Sequence, residues 1–171
     1  MSLKPKIKLI FTNRKIIAVI TLLVIILTLT TIVIPFLLLN ITPQSGIGNF
    51  VFEYMYVGYF FIPVLLYIYY IGIYLCRIKI DSYIIDIRSI KTILGVSLQP
   101  SYIDVAHNML IDFAFFSHPF SFNKILMIKI ATDTGKKVAK RFKITCMFKK
   151  EEERIKKALM KILIKNQNDR K

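Results

Sequence analysis

The sequence has no tryptophan, two cysteines and two histidines among 171 residues. Two cysteines, Cys76 and Cys146, make no disulfide framework, and reduced thiols are the simpler reading. Cys146 falls in an apolar run, where a small buried hydrophobe is the usual role. His107 and His118 stand eleven residues apart with Asp112 between them. A metal site draws three or four ligands at tighter, patterned spacing, so none is expected. Gly95 and Gly135 are isolated, so no glycine loop cradles a phosphate. These absences exclude the common enzyme signatures, and neither catalytic residues nor a cofactor is expected.

Charge is absent in a more telling way. From Ile16 to Phe52 there is no ionisable side chain, Glu53 stands alone, and the next charge is Arg77. All 25 lysines and arginines lie outside this stretch, in a chain that is 55% hydrophobic with a net charge of +15. Apolar and basic parts are laid end to end. At 1.5 Å per residue, roughly 20 apolar residues cross a hydrocarbon core. Residues 16–39 and 54–76 both suffice, which predicts a two-helix transmembrane hairpin over 16–76. Pro35 is expected to kink or end the first helix early. A cleaved signal would have a shorter apolar core and a small-residue cleavage site, so the first span reads as a retained anchor.

Residues 1–15 carry Lys4, Lys6, Lys8, Arg14 and Lys15, the connector 40–52 carries no Lys or Arg, and Arg77 and Lys79 follow the second span. Basic residues stay on the cytoplasmic side. The expectation is a multi-pass protein of the cell membrane with both termini in the cytoplasm: a basic tail, 1–15, and a domain, 77–171. Glu53 is read as an interfacial carboxylate. A transport pathway would need more buried ionisable groups.

Seven of the nine tyrosines fall in the second span. Tyr59, Tyr67, Tyr70 and Tyr74 share a helical face with Tyr56 and Pro63. A phenol in lipid needs a hydroxyl partner, and Thr21, Thr28 and Thr31 line one side of the first span. The tyrosine face is therefore expected to pack on the threonine face, or on a second copy in a homo-oligomer.

After Cys76 the pattern shifts to alternation. Runs at 77–81, 83–88, 95–99, 102–106, 124–131 and 138–147 predict about six antiparallel strands, with Val138, Phe142 and Ile144 facing inward in the last. Residues 149–165 place Ile155, Ala158, Leu159, Ile162 and Leu163 on one helical face. Glu151, Glu152 and Glu153 sit at its start and Lys161 and Lys165 at its end, as the helix dipole favours. The fold class is α+β: two N-terminal transmembrane helices, then a small antiparallel sheet or barrel capped by an amphipathic helix.

This layout resembles the bacterial pleckstrin-homology-like (PH-like) membrane proteins of the YdbS/YdbT type. The strand pair RIKIDSYIIDIRS follows the second span directly, QPSYIDV supplies a proline-led strand, and HPFSFNKILMIKIAT links an aromatic loop to a long strand. The resemblance implies a PH-like domain without an assigned activity.

From Arg77 onward the domain has 20 basic and 9 acidic residues. Lys136, Lys137, Lys140, Arg141 and Lys143 cluster on and after one turn, and a tethered basic surface gains about 1 kcal/mol per residue near an anionic leaflet. The segment 113–122 holds five phenylalanines, with Phe120 and Phe122 in its loop. Core filling, insertion at the bilayer interface and partner binding all remain open for it. No nucleic-acid reading motif accompanies the basic patch. The expectation is a non-enzymatic membrane protein whose PH-like module binds a protein partner or anionic lipid at the inner surface. The alternative is a two-span effector whose β-rich domain senses a cyclic nucleotide and disrupts the membrane.

Overall fold

The computed structural model describes residues 9–41, 46–93, 96–119, 121–132 and 135–169. After a short strand, β1 (Leu9–Thr12), helix α1 (Arg14–Thr28) passes through a five-residue π-turn, Leu29–Val33, into α2 (Ile34–Ile41). The π-turn stands just before Pro35. Proline donates no hydrogen bond and its ring crowds the preceding turn, and the wider turn relieves both demands. Of the two outcomes expected at Pro35, an early end does not occur: the helical run passes through the π-turn and continues to Ile41. Arg14–Leu38 is the one helix among the described residues long and apolar enough to cross a membrane.

Helix α3 (Gly46–Ile71) returns antiparallel to it, with a shorter apolar stretch at Gly58–Ile71. The backbones come close at Gly58, where a Cβ would rest in ordinary van der Waals contact with the Thr31 carbonyl oxygen at 3.5 Å. Ile17, Val24, Leu65 and Ile73 bury an apolar seam between the helices and the sheet below. The helix ends five residues earlier than the expected boundary at 76. Gly72 takes φ +76°, a left-handed turn natural for glycine, and a strand begins at Ile73. Tyr74 and Cys76 are thus strand residues, not the last turn of a helix.

Two antiparallel sheets follow. The first has the order β1-β2-β3-β4, with β2 (Ile73–Ile80), β3 (Ile84–Ile93) and β4 (Val96–Ala106). Leu9–Thr12, expected to be tail, forms its edge and pairs Leu9 with Ile80 and Thr12 with Arg77. The third and fourth expected strands are one: β4 runs straight through Pro100, with a register shift opposite the Ile90–Thr92 stretch of β3. Pro100 is tolerated because β4 has a sheet partner on one side only. A 3₁₀ turn, His107–Met109, leads to the second sheet, β5-β6-β7: β5 (Leu110–Ser117), β6 (Asn123–Ala131) and β7 (Lys137–Thr145). Strand β5 absorbs much of the Phe-rich segment: Phe113 and Phe115 pack against the core and Phe116 stays exposed.

Alternation builds the core. Cys76, Ile78 and Ile80 of β2 and Ile85 and Ile87 of β3 meet Leu126, Ile128, Phe142 and Ile144 of the second sheet. Val138, expected inside, is exposed near the start of β7. Helix α4 (Lys149–Asn168) closes the open end through Ile155, Ala158, Leu159 and Ile162. Both ends of α4 are pinned. Lys124 of β6 pairs with Glu152, which also meets Lys156 Nζ at 2.6 Å. At the far end Asn166 Nδ2 donates to the carbonyls of His107 (2.6 Å) and Leu110 (3.0 Å), in the link between the sheets. The N-cap position is Phe148, which has no capping oxygen; instead Glu151 reaches back to its N–H at 3.3 Å.

Burial alone would raise the Glu152 pKa, but hydrogen bonds from Lys124 and Lys156 outweigh it and hold it below the usual value. A depressed carboxyl stabilises the fold above its unfolded pKa and loses that contribution as pH falls through the folded pKa. Glu152→Gln should therefore destabilise the protein at pH 6–7 and converge on wild type as pH falls below the folded carboxyl's pKa; chemical unfolding from pH 7 downward measures it. Gly72→Ala should cost about 1–2 kcal/mol for the left-handed backbone. It also crowds Lys91 Cε, 2.6 Å from the new methyl, whereas Gly135 has the same φ and open space. Gly135→Ala should thus lower the melting temperature less than Gly72→Ala.

Candidate functional site at the helix–sheet junction

The helices enter the sheets through a buried polar knot. Asn13 sits between β1 and α1, 1% exposed. Its Nδ2 donates to the carbonyls of Tyr74 (3.0 Å) and Thr145 (2.9 Å), and its Oδ1 accepts from the Cys76 N–H at 2.8 Å. Two carbonyls on one side and an N–H on the other fix the orientation of the amide. Thr145 Oγ1 accepts from the Tyr74 N–H at 2.7 Å and donates to Asn123 Oδ1 at 2.5 Å. Asn123 Nδ2 in turn donates to the Gly72 carbonyl at 3.0 Å. Three side chains thus satisfy the backbone groups freed where α3 ends and β2 begins, which burial would otherwise leave costly.

Sequence reasoning missed this knot. A usable signal existed: Asn13 stands directly before an apolar helical run, an N-cap position. The structure spends that side chain on tertiary contacts, and no side-chain cap bond forms. Ser89 adds a second tie between the sheets, its Oγ donating to the Lys143 carbonyl at 2.6 Å.

Beside the knot, the outer face of the first sheet is graded. Cα partners across an antiparallel pair share a face. The rows therefore read Ile73–Thr92, then Leu75–Ile90–Pro100, then Thr12–Arg77–Arg88–Tyr102, then Ile10–Lys79–Asp86–Asp104. Helix α1 lies against the two apolar rows. Between them an open groove of about 390 Å³ runs along Ile17, Ala18, Leu22 and Ile25, with Leu75 opposite and Arg14 at one end. Arg88 stacks 5.2 Å from the Tyr102 ring centre and meets Asp86 at 3.1 Å.

The expected basic cluster is divided. Alternation puts Lys137, Arg141 and Lys143 on one face of β7 and Lys140 on the other, where its amine meets the Tyr102 carbonyl. Lys143 stands 5.3 Å from the Tyr74 ring centre, close to the knot. Strand β7 crosses the first sheet from Tyr102 to Tyr74, so Lys137, at its start, lies about 26 Å along it from Thr145, with Lys136 just beyond. Phe122 is half-buried, and Phe120 lies outside the described residues.

The helix pairing differs from expectation. Leu65, Ile68 and Tyr69 of α3 face α1, while Tyr59, Tyr67 and Tyr70 point away. Thr28 and Thr31 bond the carbonyls of Val24 (2.7 Å) and Leu27 (2.6 Å) in their own helical run, the nearest acceptors in an apolar setting. Thr21 lines the junction instead. Among the described residues the seam between the helices is apolar, in place of the tyrosine–threonine packing expected within one copy, and Tyr74 belongs to the sheet.

Cys76 is fully buried in the core, and burial pushes its thiol up to about 12, which suits an inert core residue. Burial also lowers the His107 pKa, and its Nε2 is buried without a partner. Among the described residues no group of His, Cys, Asp and Glu is placed to hold a metal ion. No protein-family model matches the chain, and neither a curated protein nor a solved structure does.

Asn13→Leu should cost about 2–4 kcal/mol, because it strands one N–H and two carbonyls. Hydrogen exchange should show faster exchange at Cys76 than in the centre of β6.

Proposed function

We propose that this is a non-enzymatic, two-span integral membrane protein of the cell membrane, whose PH-like module works at the cytoplasmic surface and binds anionic lipid or a protein partner there. The observation that carries the reading is the pairing of β1 with β2. These strands flank the whole helical segment, yet they are hydrogen-bonded neighbours. Whatever the helices cross, the chain on either side of them lies on one side. The five basic residues before Ile16 and the Arg77–Lys79 pair after the helices support the cytoplasm as that side. Four strands and three strands in separate antiparallel sheets, closed by a C-terminal helix, fit the PH-like arrangement that the sequence resembles. The helical pair then takes the place of the β1–β2 connection. The module is continuous with its anchor, which restricts its ligands to the membrane surface.

Topology is tested with cysteines introduced one at a time in a Cys146→Ala background, where the remaining Cys76 is fully buried, and labelled by a membrane-impermeant maleimide on intact cells. Gln44→Cys should label from outside, and Asn168→Cys only after permeabilisation. Labelling of both or neither on intact cells overturns the orientation. Affinity capture in mild detergent, followed by mass spectrometry of lipids and proteins, should recover an anionic lipid or a stoichiometric partner; recovery of neither overturns the binding role.

A further inference from the structure

The outer face of the first sheet carries an arrangement that its own fold does not need. Arg77 and Arg88 stand directly opposite each other across β2 and β3. Like charges in that position destabilise a sheet. Arg88 has Asp86 and the Tyr102 ring, but among the described residues no carboxylate lies within 4 Å of Arg77 or Arg14. Arg14 lies two residues after Thr12, the Cα partner of Arg77, so it stands beside the Thr12 end of the row that carries Arg77 and Arg88. Directly beyond this row the face turns apolar, and there the open groove runs along α1 from Arg14 to Ile25.

We infer that this groove holds one acyl chain of an anionic phospholipid, with the lipid phosphate against Arg14, Arg77 and Arg88. The inference rests on the membrane reading above and names the ligand and its place. Three features select this occupant. The groove is walled by Ile17, Ala18, Leu22, Ile25 and Leu75 together with Thr21 and Thr92, and its charged lining residue, Arg14, stands at one end, which matches a molecule with one charged end and a long apolar body. Guanidinium groups bind phosphate oxygens through paired donors. Depth agrees as well. Residues 14–41 form about 42 Å of helix, and a hydrocarbon core needs about 30 Å, so the first turns of α1 lie at headgroup depth. The arginine row then stands level with the phosphates and Tyr102 with the interfacial belt. The groove opens sideways to the leaflet, and a lipid enters without leaving the bilayer.

The full chain in nanodiscs holding equal phosphatidylglycerol and phosphatidylcholine, released into a native mass spectrometer, tests this. Wild type should retain one phosphatidylglycerol at least tenfold over phosphatidylcholine. Arg77→Gln with Arg88→Gln should bring that ratio below threefold, and Ala18→Trp, which fills the groove without changing charge, should cut lipid occupancy at least fivefold. Circular dichroism and size-exclusion profiles identify folded variants, and Ala18→Trp reads the site if the double variant fails to fold. Inorganic phosphate at millimolar concentration should not displace the lipid; displacement would overturn a site built on the acyl chain. Full retention in either folded variant also overturns the groove. If Lys136→Gln with Lys137→Gln abolishes the preference instead, lipid binding by the module stands and the groove falls. A wild type with no preference sinks the groove and leaves the module to a protein partner.

Discussion

Everything at the base of the helices depends on one requirement: backbone groups that leave a helix inside an apolar interior must find partners. Helix α3 ends at Ile71 and β2 starts two residues later, with no aqueous loop between them. The Gly72 carbonyl and the Tyr74 and Cys76 amides are therefore freed in the interior. Asn123, Thr145 and Asn13 meet those groups, and each comes from a different part of the chain. Their bonds tie β1, β2, β6 and β7 to one point, so the sheets cannot shift without breaking a buried network. A partly satisfied network is costly, which makes this junction stiff.

The first sheet divides its two faces between two tasks. Its inner face, with Cys76, Ile78, Ile80, Ile85 and Ile87, builds the core with the second sheet and α4. Its outer face is apolar beside α1, arginine-rich one row further, and mixed in charge after that. That gradient runs in the same direction as α1, which is apolar beyond Lys15 and follows a basic segment. Helix and sheet are therefore graded together, and one environment with an apolar interior and an anionic boundary would satisfy both.

Periodicity made much of the fold legible. The long apolar runs, the alternation after Arg77, the Thr132–Gly135 connection and the C-terminal apolar stripe each report a local burial pattern. β1 was hidden because Leu9–Thr12 is four residues beside an apolar helix, and its partner lies more than sixty residues later. β5 was hidden because five phenylalanines in ten residues show no clean alternation. The boundary at Gly72 was blurred because Ile73-Tyr-Leu-Cys is as apolar as the helix before it, and hydropathy does not register a change of backbone direction. The tyrosine stripe is a true helical face over residues 59–70, yet periodicity cannot say whether a face meets its neighbour or the surroundings.

The sequence by itself determined the separation of apolar helices from a basic sheet domain, Phe142 and Ile144 as inward residues of the last strand and the capping face of α4, since each follows from local spacing. Tertiary structure alone decided which residues carry the junction. Asn123 and Thr145 have no signature in a linear chain, and the N-cap signal at Asn13 points to a different role, because their value lies in the backbone groups that distant segments bring to them. The facing arginines are of the same kind. Arg77 and Arg88 are unremarkable eleven residues apart, and only the β2–β3 register sets them opposite each other beside Arg14.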